Sequence, residues 1–242
     1  MPVEGACDQV RMYMAGEALL VVEFGDRLSA PINDAVLAFD HFLQDHAIEG
    51  LLETAPLSHS LALRFDPLII ALDKFRSKIG DLASSTDWFS KQRHHQPKRW
   101  RLPVVYGGES GPDLEAIARQ VSLPIKDLIK AHCSTVQRVF MIGFAPGFMY
   151  TGMLPKLFQI PRLRDIKPHV PAGSVSIAIG QSVISATPQP TGWHTIGRTP
   201  LVNFDPVREP PLLIGAGDEI EFYQIDQIAF DAWQQGAMES LN

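Results

Sequence analysis

The sequence predicts a small α+β unit of ferredoxin-like type followed by a mainly-β unit, a compact barrel or sandwich. Two observations carry this. Before residue 84, apolar residues recur at helical spacing in two stretches, interleaved with strand patterns in the order β-α-β-β-α. After His132 that periodicity stops, and short apolar runs alternate with Gly, Pro and Asp turns.

Residues 18–24 are rich in Leu and Val and end at Gly25-Asp26, a strand and its turn. Over residues 33–44, Val36, Phe39 and Leu43, flanked by Ala35 and Phe42, line one face of a helix with Asn33 as its N-cap. A second strand is expected near 48–53. Residues 60–65 alternate, Leu61, Leu63 and Phe65 against Ser60, Ala62 and Arg64, as in a half-covered strand. Asp66-Pro67 is expected to start a second helix with the stripe Leu68, Leu72, Phe75 and Ile79. A strand at 102–106 would close the unit.

Residues 84–101 lack periodicity and read as a connection, so the domains are expected to be 1–98 and 99–242, with the boundary inside 84–106. Beyond it, 112–120 and 124–132 are helical, the second with Ser122 as a cap. The strand runs that follow are 139–142, 175–179, 183–185, 201–204 and 219–225, and a short helix is expected within 226–242. Gly215-Ala216-Gly217-Asp218 is a turn, since no third glycine and no helix follow it.

Composition excludes several function classes. A chain of 242 residues with 45% hydrophobic and 20% charged residues buries a sizeable core, and its net charge of −6 gives no global reason to bind nucleic acid. No stretch approaches the roughly 20 apolar residues of a membrane span, and residues 1–11 lack a secretory pattern, so a cytoplasmic location without membrane attachment is expected. Cys7 and Cys133 are read as reduced thiols. The basic run 91–101 is a solvated linker or an anionic docking patch. No histidine pair has the spacing of a metal site, so no metal is expected, and there is no G-x-x-x-x-G-K-[ST] loop for ATP.

Three glycine-punctuated blocks are where function is sought: I-G-F-A-P-G-F-M-Y-T-G at 142–152, V-P-A-G-S-V at 170–175 and G-W-H-T-I-G-R-T-P at 192–200. Glycine permits close approach, proline fixes φ, and the aromatics present flat apolar faces.

With Ala18-Leu19-Leu20-Val21, Glu23-Phe24-Gly25-Asp26, Tyr106-Gly107-Gly108-Glu109, Gly111-Pro112-Asp113-Leu114 and Phe204-Asp205-Pro206, these blocks resemble the allophanate hydrolase subunit 1 family across nearly the whole chain. That family is also known as the 5-oxoprolinase B subunit and as the kinase A inhibitor of sporulating bacteria. The resemblance implies a ferredoxin-like domain followed by a cyclophilin-like barrel. It does not import prolyl isomerase activity. It further implies a subunit of an ATP-dependent 5-oxoprolinase, with ATP as cosubstrate, a C-type subunit resembling allophanate hydrolase subunit 2, and an A-type subunit. The alternatives are a histidine-kinase inhibitor and a subunit of an allophanate- or urea-degrading hydrolase.

Among single residues, Arg198 beside Thr199 grips a carboxylate or phosphoryl oxygen, or makes a structural salt bridge. Trp193 stacks on a ring or partner, or plugs the barrel. Phe144, Phe148 and Tyr150 are candidates for partner contact. Ser174 donates to a ligand or satisfies a turn, and Arg162 contacts an oxyanion or anchors a loop. His132, expected at a helix C-terminus where the dipole favours its charged form, is a second catalytic candidate or a structural cap. His169 and His194 are not expected to be catalytic, and Cys133 is expected to be a buried thiol.

Overall fold

A computed structural model describes residues 10–90 and 97–234. The chain divides into two compact units between residues 96 and 97. The first contains β1 (Arg11–Met14), β2 (Leu19–Glu23), α1 (Ala30–Gln44), β3 (Leu51–Pro56), β4 (Ser60–Phe65) and α2 (Leu72–Ser84). Its strands form one antiparallel sheet in the order β1-β2-β4-β3. Leu20 and Val22 of β2 and Leu61, Leu63 and Phe65 of β4 pack with Phe39 and Leu43 of α1 and Phe75 and Ile79 of α2. Alternation along the strands and three- and four-residue steps along the helices produce that shared core.

Tertiary contacts redraw several expected boundaries here. Helix α1 starts at Ala30 with a proline in its first turn; Asn33 is not its cap but is buried inside it, donating from Nδ2 to the Ser58 carbonyl at 3.2 Å. Asp66 does not cap α2. Its Oδ1 accepts from the Leu68 amide at 2.9 Å, an Asx turn, so Leu68 is 94% exposed and the helix begins at Leu72. Ser60 and Ala62 are buried too, so on the face expected to be open only Arg64 is exposed. Residues 84–101 are not simply a connection. Ser84 ends α2, and Trp88 is buried against Phe39 and Phe42, with ring centroids 4.9 and 5.3 Å away, its Nε1 donating to the Ala83 carbonyl. Residues 91–96, like Cys7, lie outside the described residues.

In the second unit, β5 (Arg99–Tyr106), β6 (Gln137–Ile142), β7 (Met149–Gly152), β9 (Ser174–Ala178), β10 (Gln181–Ile184), β12 (His194–Arg198) and β13 (Glu219–Gln224) form a closed barrel in the order β10-β7-β6-β13-β5-β12-β9. The segment 102–106, expected to complete the first unit, is thus a barrel strand; β1, joined to β2 by a short turn, holds that edge beside β2 instead. A short connection costs less closure entropy than one spanning two helices and a linker. Two helices, α3 (Leu114–Gln120) and α4 (Ile125–Cys133), pack Leu114, Ile117, Leu128 and Ile129 into the barrel core. Pro124 rather than Ser122 precedes α4, because Ser122 sits at φ 55°. A separate ribbon pairs β8 (Lys167–Val170) with β11 (Gln189–Thr191), and α5 (Gln227–Gln234) follows the barrel. Residues 201–204 do not form a strand. They make one bridge, Phe204 to Leu212, because Asn203 turns its side chain inward to hold other backbone groups.

The Gly215–Asp218 turn is fastened by a carboxylate. Asp218 accepts from the Lys98 amide at 3.0 Å, from Trp100 Nε1 at 3.0 Å and from the Gly215 amide at 3.1 Å, tying the start of β5 to that of β13. No helix among the described residues is long and apolar enough to cross a membrane.

Candidate functional site

Strand register gathers the three glycine blocks at one rim of the barrel. Ile142 pairs with Met149, Met149 with Ile184, Ile184 with Val175, and Ser174 with Arg198. The end of β6, the start of β7, the end of β10, the start of β9 and the end of β12 therefore stand side by side. Two glycines let the loops close on each other. A Cβ on Gly147, at φ 74°, would lie 2.5 Å from Phe204 Cβ, and one on Gly173, at φ 81°, would overlap the Thr199 carbonyl oxygen. Asn203 locks the first contact by donating from Nδ2 to the Gly147 carbonyl at 3.2 Å and accepting the Ile214 amide at 2.8 Å. The second is locked from both sides: the Gly173 amide donates to the Ser185 carbonyl and its carbonyl accepts the Thr199 amide.

Arg198 is half-buried on this rim. Its Nε donates to the Ala172 carbonyl at 2.9 Å and its guanidinium lies 5.4 Å from the centre of the Phe230 ring. The alternative role, a structural salt bridge, is not made with any described carboxylate. Ser174 Oγ donates to the Pro171 carbonyl at 2.7 Å, which is the turn role. Thr199 is buried and accepts the Leu201 amide through its hydroxyl.

The aromatic candidates lie elsewhere, on the outer wall. Alternation sends Met149, Ile177 and Ile184 into the barrel and Phe148, Ala178 and Val183 outward, where they cluster with Trp193 and the partly buried Tyr150. Trp193 therefore plugs no barrel. Phe148 is 5% exposed, too buried to meet a partner, and serves as a base on which Phe144 rests edge-on at 5.6 Å. Phe144 itself is 72% exposed at φ 75°. Arg162 stacks over Trp193 at 5.2 Å. Burial raises the Tyr150 pKa, and the Arg162 charge partly offsets this.

His132 joins neither group. It is fully buried, its Nδ1 2.8 Å from Tyr106 Oη and its Nε2 3.0 Å from Ser182 Oγ. The Gln137 side-chain amide lies 3.3 Å from the same Nε2, so the imidazole is held by polar groups on both edges. Thr151 Oγ1 extends the network, 2.8 Å from the Gln137 amide and 3.2 Å from the Ser182 carbonyl. Burial lowers the His132 pKa to about 3, which overturns the expectation of a charged helix-terminal imidazole. Cys133 is half-buried with Sγ 3.5 Å from Tyr106 Oη, and burial raises its pKa. His194 Nε2 bonds the Pro161 carbonyl.

Gln189, Ser185, Asn203 and the Ala172 carbonyl were not legible as rim residues. Gln189, Ser185 and Asn203 stand outside the three glycine blocks, and Ala172, though inside the 170–175 block, gains its role only from the register that sets Arg198 beside it. Among the described residues, no group of three or more His, Cys, Asp or Glu side chains forms a metal cluster.

Residues 10–214 match the family profile of the carboxyltransferase domain, subdomain C and D. The B subunit of 5-oxoprolinase from Bacillus subtilis (strain 168) is 31% identical over 227 residues, covering 91% of this chain and 95% of its own length. Among solved structures, the conserved uncharacterized protein PH0987 from Pyrococcus horikoshii is 34% identical over 91% of this chain and 100% of that chain, with a TM-score of 0.53. The protein TTHA0988 aligns with a TM-score of 0.73 at 27% identity over 90% of this chain, which spans only 40% of that longer chain.

Proposed function

Because the chain belongs to the family of the carboxyltransferase domain, subdomain C and D, we propose that it is the B subunit of an ATP-dependent 5-oxoprolinase. The observation that carries this reading is the match, nearly end to end, to a relative bearing that name. The rim supports it by presenting a guanidinium with no acidic partner among the described residues. We also read the first unit as a ferredoxin-like variant, in which β1 takes the edge usually held by a final strand, and the second as cyclophilin-like. The division at residues 96–97 supports domains close to 1–98 and 99–242.

The chemistry explains why ATP is needed. A five-membered lactam is a poor electrophile, and its nitrogen a poor leaving group. Transfer of the γ-phosphoryl group to the amide oxygen makes the ring carbon electrophilic. Addition of water with departure of the ring nitrogen then gives glutamyl phosphate, and a second water yields glutamate and phosphate. Donors aimed at the developing charge lower the barrier. Arg198 is our choice for the anion contact on this chain. ATP is assigned to the complex, in a cytoplasmic setting, with C-type and A-type subunits completing the site. Phe144 is our choice for the partner contact.

The test is reconstitution. The purified chain alone should show negligible ATP-dependent glutamate release from 5-oxoproline, and the chain with its partner subunits should show turnover. Full activity of the lone chain would refute the shared-site reading. No activity in the assembled complex, with inhibition of a histidine kinase by the lone chain, would favour the regulator instead.

A further inference from the structure

Between β12 and β13 the chain makes a surface excursion, residues 201–214, in which Arg208 turns back on its own loop. Its guanidinium donates to four backbone carbonyls: Nη1 to Val202 at 3.3 Å, Nη2 to Asn203 at 2.5 Å and to Pro211 at 3.0 Å, and Nε to Pro210 at 3.3 Å. Two of these acceptors lie on the outgoing limb and two on the returning one, so the side chain staples the loop across its width. Reaching all four takes a planar group with forked donors. Pro206, Pro210 and Pro211 fix φ at three further points, and Asp205 Oδ1 accepts the Val207 amide at 3.0 Å.

The stapled limb is the one that reaches the 142–152 block. While the Asn203 carbonyl takes the Arg208 bond, the Asn203 side chain donates to the Gly147 carbonyl at 3.2 Å. Gly147 lies within a turn closed by the Gly143 amide on the Phe148 carbonyl and by the Phe148 amide on the Ala145 carbonyl, both at 3.1 Å. That turn carries Phe144, mostly exposed at φ 75°, a conformation that a bulky residue keeps only where its surroundings hold it. Bonds of 2.5, 3.2 and 3.1 Å thus lead from Arg208 to the turn beneath Phe144.

We infer that Arg208 is a positioning residue for Phe144: it holds the 201–214 loop in the shape that lets Asn203 grip Gly147, and so presents the aromatic ring before a partner arrives. The inference rests on the choice of Phe144 as the partner contact and adds a residue that acts on it from a distance. Bonds on a solvent-exposed loop contribute little to global stability, because water competes for both partners. What they set is the population of the competent loop, and apparent affinity scales with that population. Arg208 therefore governs binding more than melting.

The experiment is a double-mutant cycle on the full chain, titrated calorimetrically with the C-type subunit: wild type, Arg208→Lys, Phe144→Gly and the pair. Lysine keeps the charge, but its single ammonium cannot span both limbs. Arg208→Lys should weaken binding about fivefold in the wild-type background, the scale of coupling within one hydrogen-bond network, and less than about twofold where Phe144 is already glycine. Its melting temperature should stay within about 3 °C of wild type. Unchanged binding in Arg208→Lys, or an equal loss in both backgrounds, overturns the positioning role and leaves the Phe144 contact and the 5-oxoprolinase reading standing. A wild-type chain that does not bind the C-type subunit, or unchanged binding in Phe144→Gly, overturns the partner contact and this inference with it. Should Arg208→Lys not fold, Arg208→Gln takes its place in the cycle. The unaltered chain gives a second readout: the Arg208 Nε proton should exchange with water at least about tenfold more slowly than that of the exposed Arg76. Equal rates would show that the staple does not form and overturn the inference.

Discussion

His132 Nε2 and Ser182 Oγ stand 3.0 Å apart inside the second unit, coupling α4 to β10 through a neutral imidazole. That ring has a serine on one side and a tyrosine hydroxyl on the other, an arrangement that on a surface would suggest catalysis. Complete burial and a pKa lowered to about 3 make it a structural cross-brace instead.

The brace should be visible in the pH dependence of stability. The folded pKa lies below the ordinary value of about 6.5, so unfolding takes up a proton once the pH falls below that value. The contribution is intact above pH 6.5 and declines as the pH falls toward 3. Between pH 7 and pH 5 the loss should be roughly 2 kcal/mol. His132→Asn should be less stable at pH 7 yet show a shallower decline. Urea denaturation at several pH values checks this, and parallel slopes for the two proteins would contradict it.

Removing the rim guanidinium tests the anion contact. Arg198→Ala should lower kcat/KM of the assembled complex by about a hundredfold, as expected when a charge-assisted contact is lost. Assembly, measured by gel filtration, should be unchanged. Normal turnover in this variant would remove Arg198 from the site.

Two glycine substitutions separate backbone strain from steric closure. Gly108 has φ 54° with nothing within 4 Å of the point where a methyl group would stand, so Gly108→Ala should cost only about 1 kcal/mol. Gly173→Ala meets the Thr199 carbonyl as well and should cost roughly 3 kcal/mol or more. Thermal melts of the two variants should differ accordingly.

Phe144 offers a contrast between stability and association. As a bulky residue at positive φ it carries about 1 kcal/mol of strain, and it is mostly exposed. Phe144→Gly should melt at or near the wild-type temperature while weakening partner binding by roughly tenfold, if the aromatic is an interface anchor. Calorimetric titration against the partner subunits gives the answer.

Local periodicity makes much of the framework legible. The stripe Val36, Phe39 and Leu43 and the alternation Leu61, Leu63 and Phe65 sit in the core as expected. Helix starts are harder, because Asn33 and Asp66 have cap chemistry but are engaged by the 57–58 backbone and by the Leu68 amide. Trp88 shows why the connection conceals its structure: one aromatic finds its pocket through tertiary packing, without any periodic neighbours. At the rim, the glycine blocks are visible as motifs, whereas Gln189 and Asn203 acquire meaning only from what the folded chain places against them.

The pairing of β13 with both β5 and β6 has a consequence for biosynthesis. Residues 219–224 are the last of the described strands to leave the ribosome, yet they lie between two staves made more than seventy residues earlier. Until they emerge, β5 and β6 expose facing unpaired edges, and neither can zip to its final neighbour. The second unit must therefore wait, partly assembled and open along one seam, for its closing segment. That interval is when a nascent chain is most exposed to edge-to-edge association.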